Sequence, residues 1–142
     1  MAADRRAEAT WQGELQTGGG EVAFRSSGAG TFPVTWASRT EAADGRTSPE
    51  ELLAAAHSSC YAMAFSGGLG RAGTPPERLD VSAVVTFVPG TGVTTSVLEV
   101  RGVVPGLDQA GFEAAAQEAE GRCPISNAIR NNVEVTVKAT LE

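Results

Sequence analysis

The stretch SPEELLAAAHSSCYAMAFS, residues 48–66, decides the fold because it predicts one long helix with a sharp start. Ser48 is placed to cap the helix, Pro49 to take its first position, and Glu51 to close a capping box. The apolar pattern continues to Leu69 or Arg71, where the turn GTPP at 73–76 ends it. We therefore predict a helix from Ser48 to the region of Arg71.

This helix is predicted to be buried inside a soluble protein. Residues 52–70 contain no Asp, Glu, Lys or Arg, which approaches the length of a membrane span. The same residues include His57, three serines and three glycines, however. Small side chains around Cys60 indicate a helix packed closely on all sides, and we expect no membrane association.

The segments on either side of the helix predict an α+β fold in one domain, 1–142. Three β-like segments precede it, at 9–15, 21–25 and 31–39. After it comes an antiparallel hairpin, 79–88 and 93–104, joined by the four-residue loop PGTG. The rest is predicted as a helix capped by Asp108 and stopped by Gly121, a short helix after Cys123, and a last strand whose apolar side chains alternate from Val133 to Leu141.

The composition excludes several classes of function. The net charge is −6 and only 11 basic residues occur among 142, scattered along the chain, so we expect no nucleic-acid partner. The N-terminus, MAADRRAEATWQG, has no apolar run behind its basic residues and does not predict a secretory signal. We therefore expect a cytoplasmic protein, whose two cysteines are catalytic, redox-active or inert rather than a permanent disulfide.

The two cysteines, Cys60 and Cys123, are 63 positions apart and have different predicted surroundings. Cys60 lies about three turns into the long helix, so the start of its own helix does not lower its pKa and it needs a cation from elsewhere. A buried, inert thiol is the alternative. Cys123 precedes Pro124 and is predicted to cap the short helix, with its sulfur facing free N–H groups that favour a thiolate. A turn cysteine without a role is the alternative there.

His57, Glu50 and Arg39 are the remaining candidates for a chemical role, and each also has a structural interpretation. His57 shares a helix face with Cys60 and is either a base or metal partner, or a hydrogen-bonded core histidine. Two cysteines and one histidine make a poor ligand set, so we expect no metal. Glu51 is explained by helix capping. Glu50 is not needed for the cap, although carboxylates are common in the first turn of a helix because of the helix dipole alone. Arg39 ends the third predicted strand, where it could be a solvated edge charge.

The two segments that hold the cysteines, SPEELLAAAHSSCYAMAFS and CPISNAIRNNVEVTVKATLE, resemble the two cysteine motifs of the OsmC/Ohr family, the osmotically inducible protein C and organic hydroperoxide resistance proteins. The resemblance extends from the early Trp-x-Gly at 11–13 through Ser38 and Arg39 to the last strand. The segment AAAHSSC favours the OsmC branch, whereas SNAIRNN resembles the Ohr branch. Members of the family are thiol-dependent peroxidases that act on hydroperoxides, especially organic ones. They are intertwined homodimers without metal or haem.

The resemblance implies a role for each of four residues. Cys60 resembles the peroxidatic cysteine and Cys123 the resolving one, whereas Arg39 matches the arginine that stabilises the thiolate and Glu50 the carboxylate that holds it. The implied reaction passes through a Cys60 sulfenic acid and a Cys60–Cys123 disulfide, which an external dithiol or lipoyl-type reductant then opens; no cofactor is implied. Tyr61, Met63 and Phe65 would suit an organic substrate, although core packing explains them equally well.

The spacing on the helix adds an expectation about the dimer. Glu50 and Cys60 are ten residues apart, which corresponds to roughly 15 Å along an unbroken helix. An antiparallel pair of these helices would bring Glu50 of one subunit near Cys60 of the other, so we predict sites completed by Glu50 and Arg39 of the partner chain. Two alternatives stay open: a redox sensor or binding protein of the same fold whose cysteines oxidise without turnover, and a structural dimer with inert thiols.

Overall fold

The computed structural model describes all residues, 1–142, and divides the chain into two compact units, Met1–Pro49 and Glu50–Glu142. The elements follow the predicted order of three strands, long helix, hairpin, helix, short helix and strand, with one additional short helix. The predicted α+β class is thereby confirmed.

The N-terminal unit is a three-stranded antiparallel sheet followed by a short helix. Its strands, in sheet order, are β1 (Ala7–Gln12), β2 (Gly19–Phe24) and β3 (Thr31–Val34). The prediction of one strand through 31–39 is wrong, because Thr35 caps the helix α1 (Trp36–Thr40). The Thr35 side chain accepts a hydrogen bond from the Ser38 N–H at 3.0 Å, and the Ser38 hydroxyl accepts one from the Thr35 N–H at 3.0 Å. This capping box turns the chain directly after β3.

The C-terminal unit is built on a second sheet, with strand order β4–β5–β6. Strands β4 (Arg78–Val88) and β5 (Gly92–Val103) form the predicted hairpin. The predicted four-residue loop is wrong by one residue, because Gly92 pairs with Val88 and leaves a loop of residues 89–91. Strand β6 (Glu134–Leu141) pairs with β5 in parallel, which requires a crossover. Helices α3 (Gln109–Arg122) and α4 (Pro124–Ile129) make that crossover. Strand β6 therefore runs beside β5 in the same direction, and the short helix α4 that precedes it lies at one end of the sheet.

The long helix α2 (Pro49–Arg71) starts and ends as predicted. Gly73 follows it with a φ of +82°, a conformation that glycine adopts without strain. Within the single chain, α2 is buried along the face that carries His57, Tyr61, Phe65 and Leu69. The opposite face carries small residues and Met63, which is 73% exposed, so close packing of α2 on all sides is not reached within one chain. No helix of the protein, α2 included, has the length and hydropathy of a membrane span.

The core of the C-terminal unit lies between α2, one face of the sheet and α3. The Phe65 ring packs on Tyr61 and Phe112, with centroids 5.7 and 5.1 Å apart. The alternation predicted for the first and last strands of this sheet is confirmed, since their partly buried side chains pack against this core, namely Leu79, Val81, Ala83, Val135, Val137, Ala139 and Leu141. Asp108 caps α3 as predicted, accepting from the Gly111 N–H at 2.8 Å, but the helix continues past Gly121 to Arg122. Cys123 thus stands directly between α3 and α4.

Candidate active site

The fold brings the two cysteines together, although they are far apart in the sequence. Cys60 lies on α2 and is partly exposed, whereas Cys123 is fully buried at the junction of α3 and α4. Both thiols are free, and Cys60 packs against the core cluster that contains Cys123, close enough for the Cys123 thiol to affect the pKa of Cys60. Two reduced thiols brought together in this way are a pair between which a disulfide can form.

The start of α4 serves Cys60 rather than Cys123, which corrects the sequence prediction. Cys123 does precede the first residue of α4, but its thiol makes no capping hydrogen bond to the helix. Instead, the backbone N–H of Ile125 lies beside the sulfur of Cys60 and acts to lower the pKa of that thiol. This N–H belongs to the first turn of α4, where backbone donors have no partner within the helix. Cys60 therefore has a local donor that its own helix could not supply.

The pKa of the Cys60 thiol is nevertheless raised. Burial is the largest cause, because it disfavours the charged thiolate. The Ile125 N–H acts in the opposite direction, whereas the neighbouring Cys123 thiol raises the pKa further. No cation is among the groups that set this pKa. The thiol pair by itself favours the protonated, unreactive form of Cys60, so a reactive thiolate requires a positive charge.

The two remaining predicted site residues lie in different units. Arg39 is on α1, with its guanidinium 5.8 Å from the centre of the Trp36 ring, a cation–π distance. Glu50 is in the first turn of α2 and is only 7% exposed. Glu51 beside it is exposed, as its predicted capping role allows. The placement of Arg39 and Glu50 beside Cys60 stays a prediction.

His57 is a fully buried histidine whose two ring nitrogens both have hydroxyl partners. Its Nδ1 lies 2.7 Å from the Ser96 Oγ on β5, and its Nε2 lies 2.7 Å from the Ser126 Oγ on α4. Both serines are fully buried as well. With both nitrogens occupied, His57 fits the hydrogen-bonded core histidine among the alternatives, and not a base or metal partner of Cys60. The two serines were missed in the sequence, where each is a single small polar residue in an otherwise unremarkable segment.

The aromatic residues near Cys60 along α2 belong to the core and do not line an open site. Tyr61 and Phe65 are fully buried, and the Tyr61 hydroxyl donates to the Ala116 carbonyl at 2.8 Å. Burial also raises the pKa of Tyr61, so it stays protonated. Core packing is thus sufficient to explain Tyr61 and Phe65, and only the exposed Met63 is free of the core.

Because His57 is buried, we predict that the free energy of unfolding falls when the pH is lowered through the range in which a histidine takes up a proton. Burial lowers the pKa of His57 from its ordinary value of 6.5, while Glu120, itself paired with Arg130 at 2.6 Å, raises it in part. Above pH 6.5 the imidazole is neutral in both the folded and the unfolded chain. Below it the unfolded chain takes up the proton first, so the free energy of unfolding falls, by at most about 1.4 kcal/mol per pH unit.

The measurement is urea unfolding at pH 7.5, 6.5 and 5.5 for the wild type and for His57→Gln, which cannot titrate in this range. The carboxylates are present in both proteins, so comparing the two proteins removes most of their contribution to the pH dependence. We expect the stability of the wild type relative to the variant to decrease as the pH falls through this range. A difference that is constant with pH would show that His57 does not contribute in this way.

Comparisons with known proteins place this geometry in context. The family model described as "OsmC-like protein" matches residues 42–138. The peroxiredoxin OsmC of Escherichia coli K12 is 33% identical over 145 residues, covering 100% of this chain and 99% of that protein. The organic hydroperoxide resistance protein of Xanthomonas axonopodis pv. citri is 36% identical over 95 residues, 64% of this chain and 65% of that protein.

Solved structures have the same fold. A crystal structure of an organic hydroperoxide resistance protein from Elizabethkingia anophelis, with thiocyanate bound, superposes with a TM-score of 0.74 at 26% identity and covers both chains completely. The structure of OhrB from Bacillus subtilis superposes with a TM-score of 0.68 at 22% identity, covering 96% of this chain and 98% of that one. At that identity the second likeness bears on the fold alone.

Proposed function

The chain belongs to the OsmC-like protein family, and on this basis we propose that it is a thiol-dependent peroxidase that reduces organic hydroperoxides. The observation that carries the proposal is the contact between two free thiols, Cys60 and Cys123, with the Ile125 N–H on the Cys60 sulfur. The names of the relatives, a peroxiredoxin and an organic hydroperoxide resistance protein, support this class of reaction and substrate.

The proposed reaction has three steps. The Cys60 thiolate attacks the O–O bond of the hydroperoxide, so that an S–O bond forms and an alcohol leaves after taking up a proton. The Cys123 thiol then attacks the sulfenic sulfur of Cys60, which forms the disulfide and releases water. An external dithiol donates two electrons and two protons by thiol–disulfide exchange, which restores both thiols and leaves the reductant as its disulfide.

In the first step Arg39 is proposed to supply the positive charge that Cys60 lacks. Burial and Cys123 raise the pKa of Cys60, and one backbone N–H does not offset them. An arginine is always charged, and its planar fork can hold a thiolate and a hydroperoxide oxygen together. Glu50 is proposed to orient this guanidinium, and a carboxylate as buried as that of Glu50 is expected to have a charged or hydrogen-bonded partner.

We propose that the site is completed across a homodimer. Residues 50–60 lie on one unbroken helix, α2, which separates the Glu50 and Cys60 backbones by roughly 15 Å. A two-fold axis beside Ala55, midway between them, would bring Glu50 level with Cys60 of the partner subunit along the helix pair. Ala55 lies on the exposed face of α2, where its small side chain allows a second helix to approach closely.

The proposal is tested by turnover. The protein is mixed with cumene, tert-butyl or hydrogen peroxide and with either a lipoyl dithiol or a monothiol, and peroxide loss is followed over many equivalents. We expect catalytic consumption with the dithiol, faster for the organic peroxides, and a rate at least about 10³-fold lower in Cys60→Ser, which has no thiolate nucleophile.

The outcomes separate the competing functions. A single equivalent of peroxide consumed, with no turnover under any reductant, would replace the proposal by a redox sensor of the same fold. Normal titration of both thiols after peroxide treatment would indicate a structural dimer with inert cysteines. Equal rates with the organic peroxides and hydrogen peroxide would keep the peroxidase and remove the preference for organic substrates.

A further inference from the structure

The hydrogen-bonded chain Ser96–His57–Ser126 joins three elements of the C-terminal unit. Ser96 belongs to β5, His57 to α2 and Ser126 to α4, and each of the two bonds is 2.7 Å long. All three side chains are fully buried, so water does not compete for these bonds. These three hydrogen-bonded residues have no role in the proposed peroxidase reaction. Core packing alone does not require a histidine between the two serines.

The hydrogen bonds of His57 hold helix α4 in place. The same helix forms part of the surroundings of both thiols. Cys123 immediately precedes it, Ile125 packs with Cys60 against the same core and has its N–H beside the Cys60 sulfur, and Ser126 is the next residue. Six residues are too few for a helix to be stable by itself, so its position depends on anchors. The start of α4 is therefore fixed to α2 at a point one residue from the donor on Cys60.

A second anchor holds the far end of α4 and the end of α3. The Arg130 guanidinium donates to the Glu120 carboxylate at 2.6 Å and to the Asn127 side-chain oxygen at 2.8 Å. Arg130 has 40% of its side chain exposed, so this anchor is partly in solvent and weaker than a buried one. The buried anchor at Ser126 is the one next to the thiols.

We infer that His57 is a positioning residue: through Ser126 it holds the first turn of α4, so that the Ile125 N–H and the Cys123 thiol stay on Cys60. The position of the Ile125 N–H affects the ionisation of the Cys60 thiol whether or not the protein is a peroxidase. The importance of the Cys123 position for disulfide formation rests on the proposed function. The two ring nitrogens have different roles. Nε2 holds α4 through Ser126, whereas Nδ1 holds the imidazole against the sheet through Ser96.

Two matched pairs of variants test this division. Ser126→Ala and Ser96→Ala each remove one buried hydroxyl from the same imidazole, but only the first releases α4. In the same way, the amide nitrogen of His57→Gln reaches about as far as Nε2 and keeps the bond to Ser126, whereas the shorter side chain of His57→Asn reaches only as far as Nδ1. The second pair serves if a serine variant does not fold.

Two readouts are independent of peroxide turnover. One is the ionisation of Cys60, followed by thiolate absorbance near 240 nm in a Cys123→Ser background. The other is the rate at which diamide converts the Cys60 and Cys123 thiols to their disulfide in chains that keep both. For Ser126→Ala and His57→Asn we expect roughly tenfold less thiolate at neutral pH and a disulfide rate lowered about tenfold, because a hydrogen bond to a charged sulfur is lost.

We expect Ser96→Ala and His57→Gln to stay within about threefold of the wild type in both readouts, even though Ser96→Ala removes as many hydrogen bonds as Ser126→Ala and should lower stability comparably. Equal changes within each pair would reduce His57 to a structural core residue and overturn the inference. Unchanged ionisation and disulfide formation in Ser126→Ala would do the same. A chain that consumes no peroxide but shows the predicted difference would contradict the peroxidase and keep the role of His57.

Discussion

Arg39→Ala is expected to raise the pKa of the Cys60 thiol and to slow its reaction with an alkyl hydroperoxide by roughly 10²- to 10³-fold at pH 7. The reason is that burial and Cys123 already raise this pKa, so that loss of the proposed cation leaves only the Ile125 N–H on the sulfur. The measurement is the pH dependence of the single-turnover rate together with thiolate absorbance in a Cys123→Ser background.

Two controls separate charge from packing. Trp36→Leu removes the ring that lies 5.8 Å from the guanidinium but keeps the arginine, and we expect a much smaller change in the Cys60 pKa. Arg39→Lys keeps the positive charge but not the planar set of N–H donors of the guanidinium. We expect it to recover part of the rate of reaction with the hydroperoxide that Arg39→Ala loses. An Arg39→Ala protein with an unchanged Cys60 pKa would exclude Arg39 as the source of the thiolate.

Mixed dimers of Cys60→Ser and Arg39→Ala chains are expected to recover activity that neither variant has alone. If each site combines Cys60 of one chain with Arg39 of the other, one of the two sites in a mixed dimer is intact. Random assembly makes half of the dimers mixed, so co-refolded chains should reach about a quarter of the wild-type rate. The measurement is peroxide consumption after co-refolding at equal concentrations.

The reciprocal mixture is the control. Wild-type chains co-refolded with the double variant Cys60→Ser/Arg39→Ala give mixed dimers that have no intact site if the sites are shared, but one if each site is contained in a single chain. The expected rates are about a quarter and about a half of the wild type, respectively. No recovery in the first mixture together with half the rate in the second would place Arg39 and Cys60 in the same subunit.

The fold was largely predictable because its strongest signals are local. The start of α2 at Pro49 and its end before Gly73 follow from capping and turn residues, and the alternation in β6 follows from its position on the core. The end of β3 was not predictable in the same way. Its capping box uses Ser38 where a glutamate or glutamine is usual, so the pattern looks like a continuing strand.

The site was only partly predictable because its key contacts are between residues distant in the sequence. That Cys60 lacked a donor from its own helix was evident from its position, but the Ile125 N–H that serves it belongs to another helix 65 residues later. The burial of His57 between Ser96 and Ser126 likewise depends on β5 and α4 meeting α2. Spacing gives contacts within a helix, whereas these contacts depend on how the sheet and the crossover helices pack.

The most direct test of the proposed thiol pair is a single oxidation without any reductant. The reduced protein is given one equivalent of cumene hydroperoxide per chain, quenched with an alkylating agent, and analysed by intact mass and peptide mapping. We predict the loss of both titratable thiols and a peptide that joins Cys60 to Cys123 within the same chain, which is absent from both single serine variants. Two alkylated cysteines, or oxidation of Cys60 without that cross-linked peptide, would contradict the account.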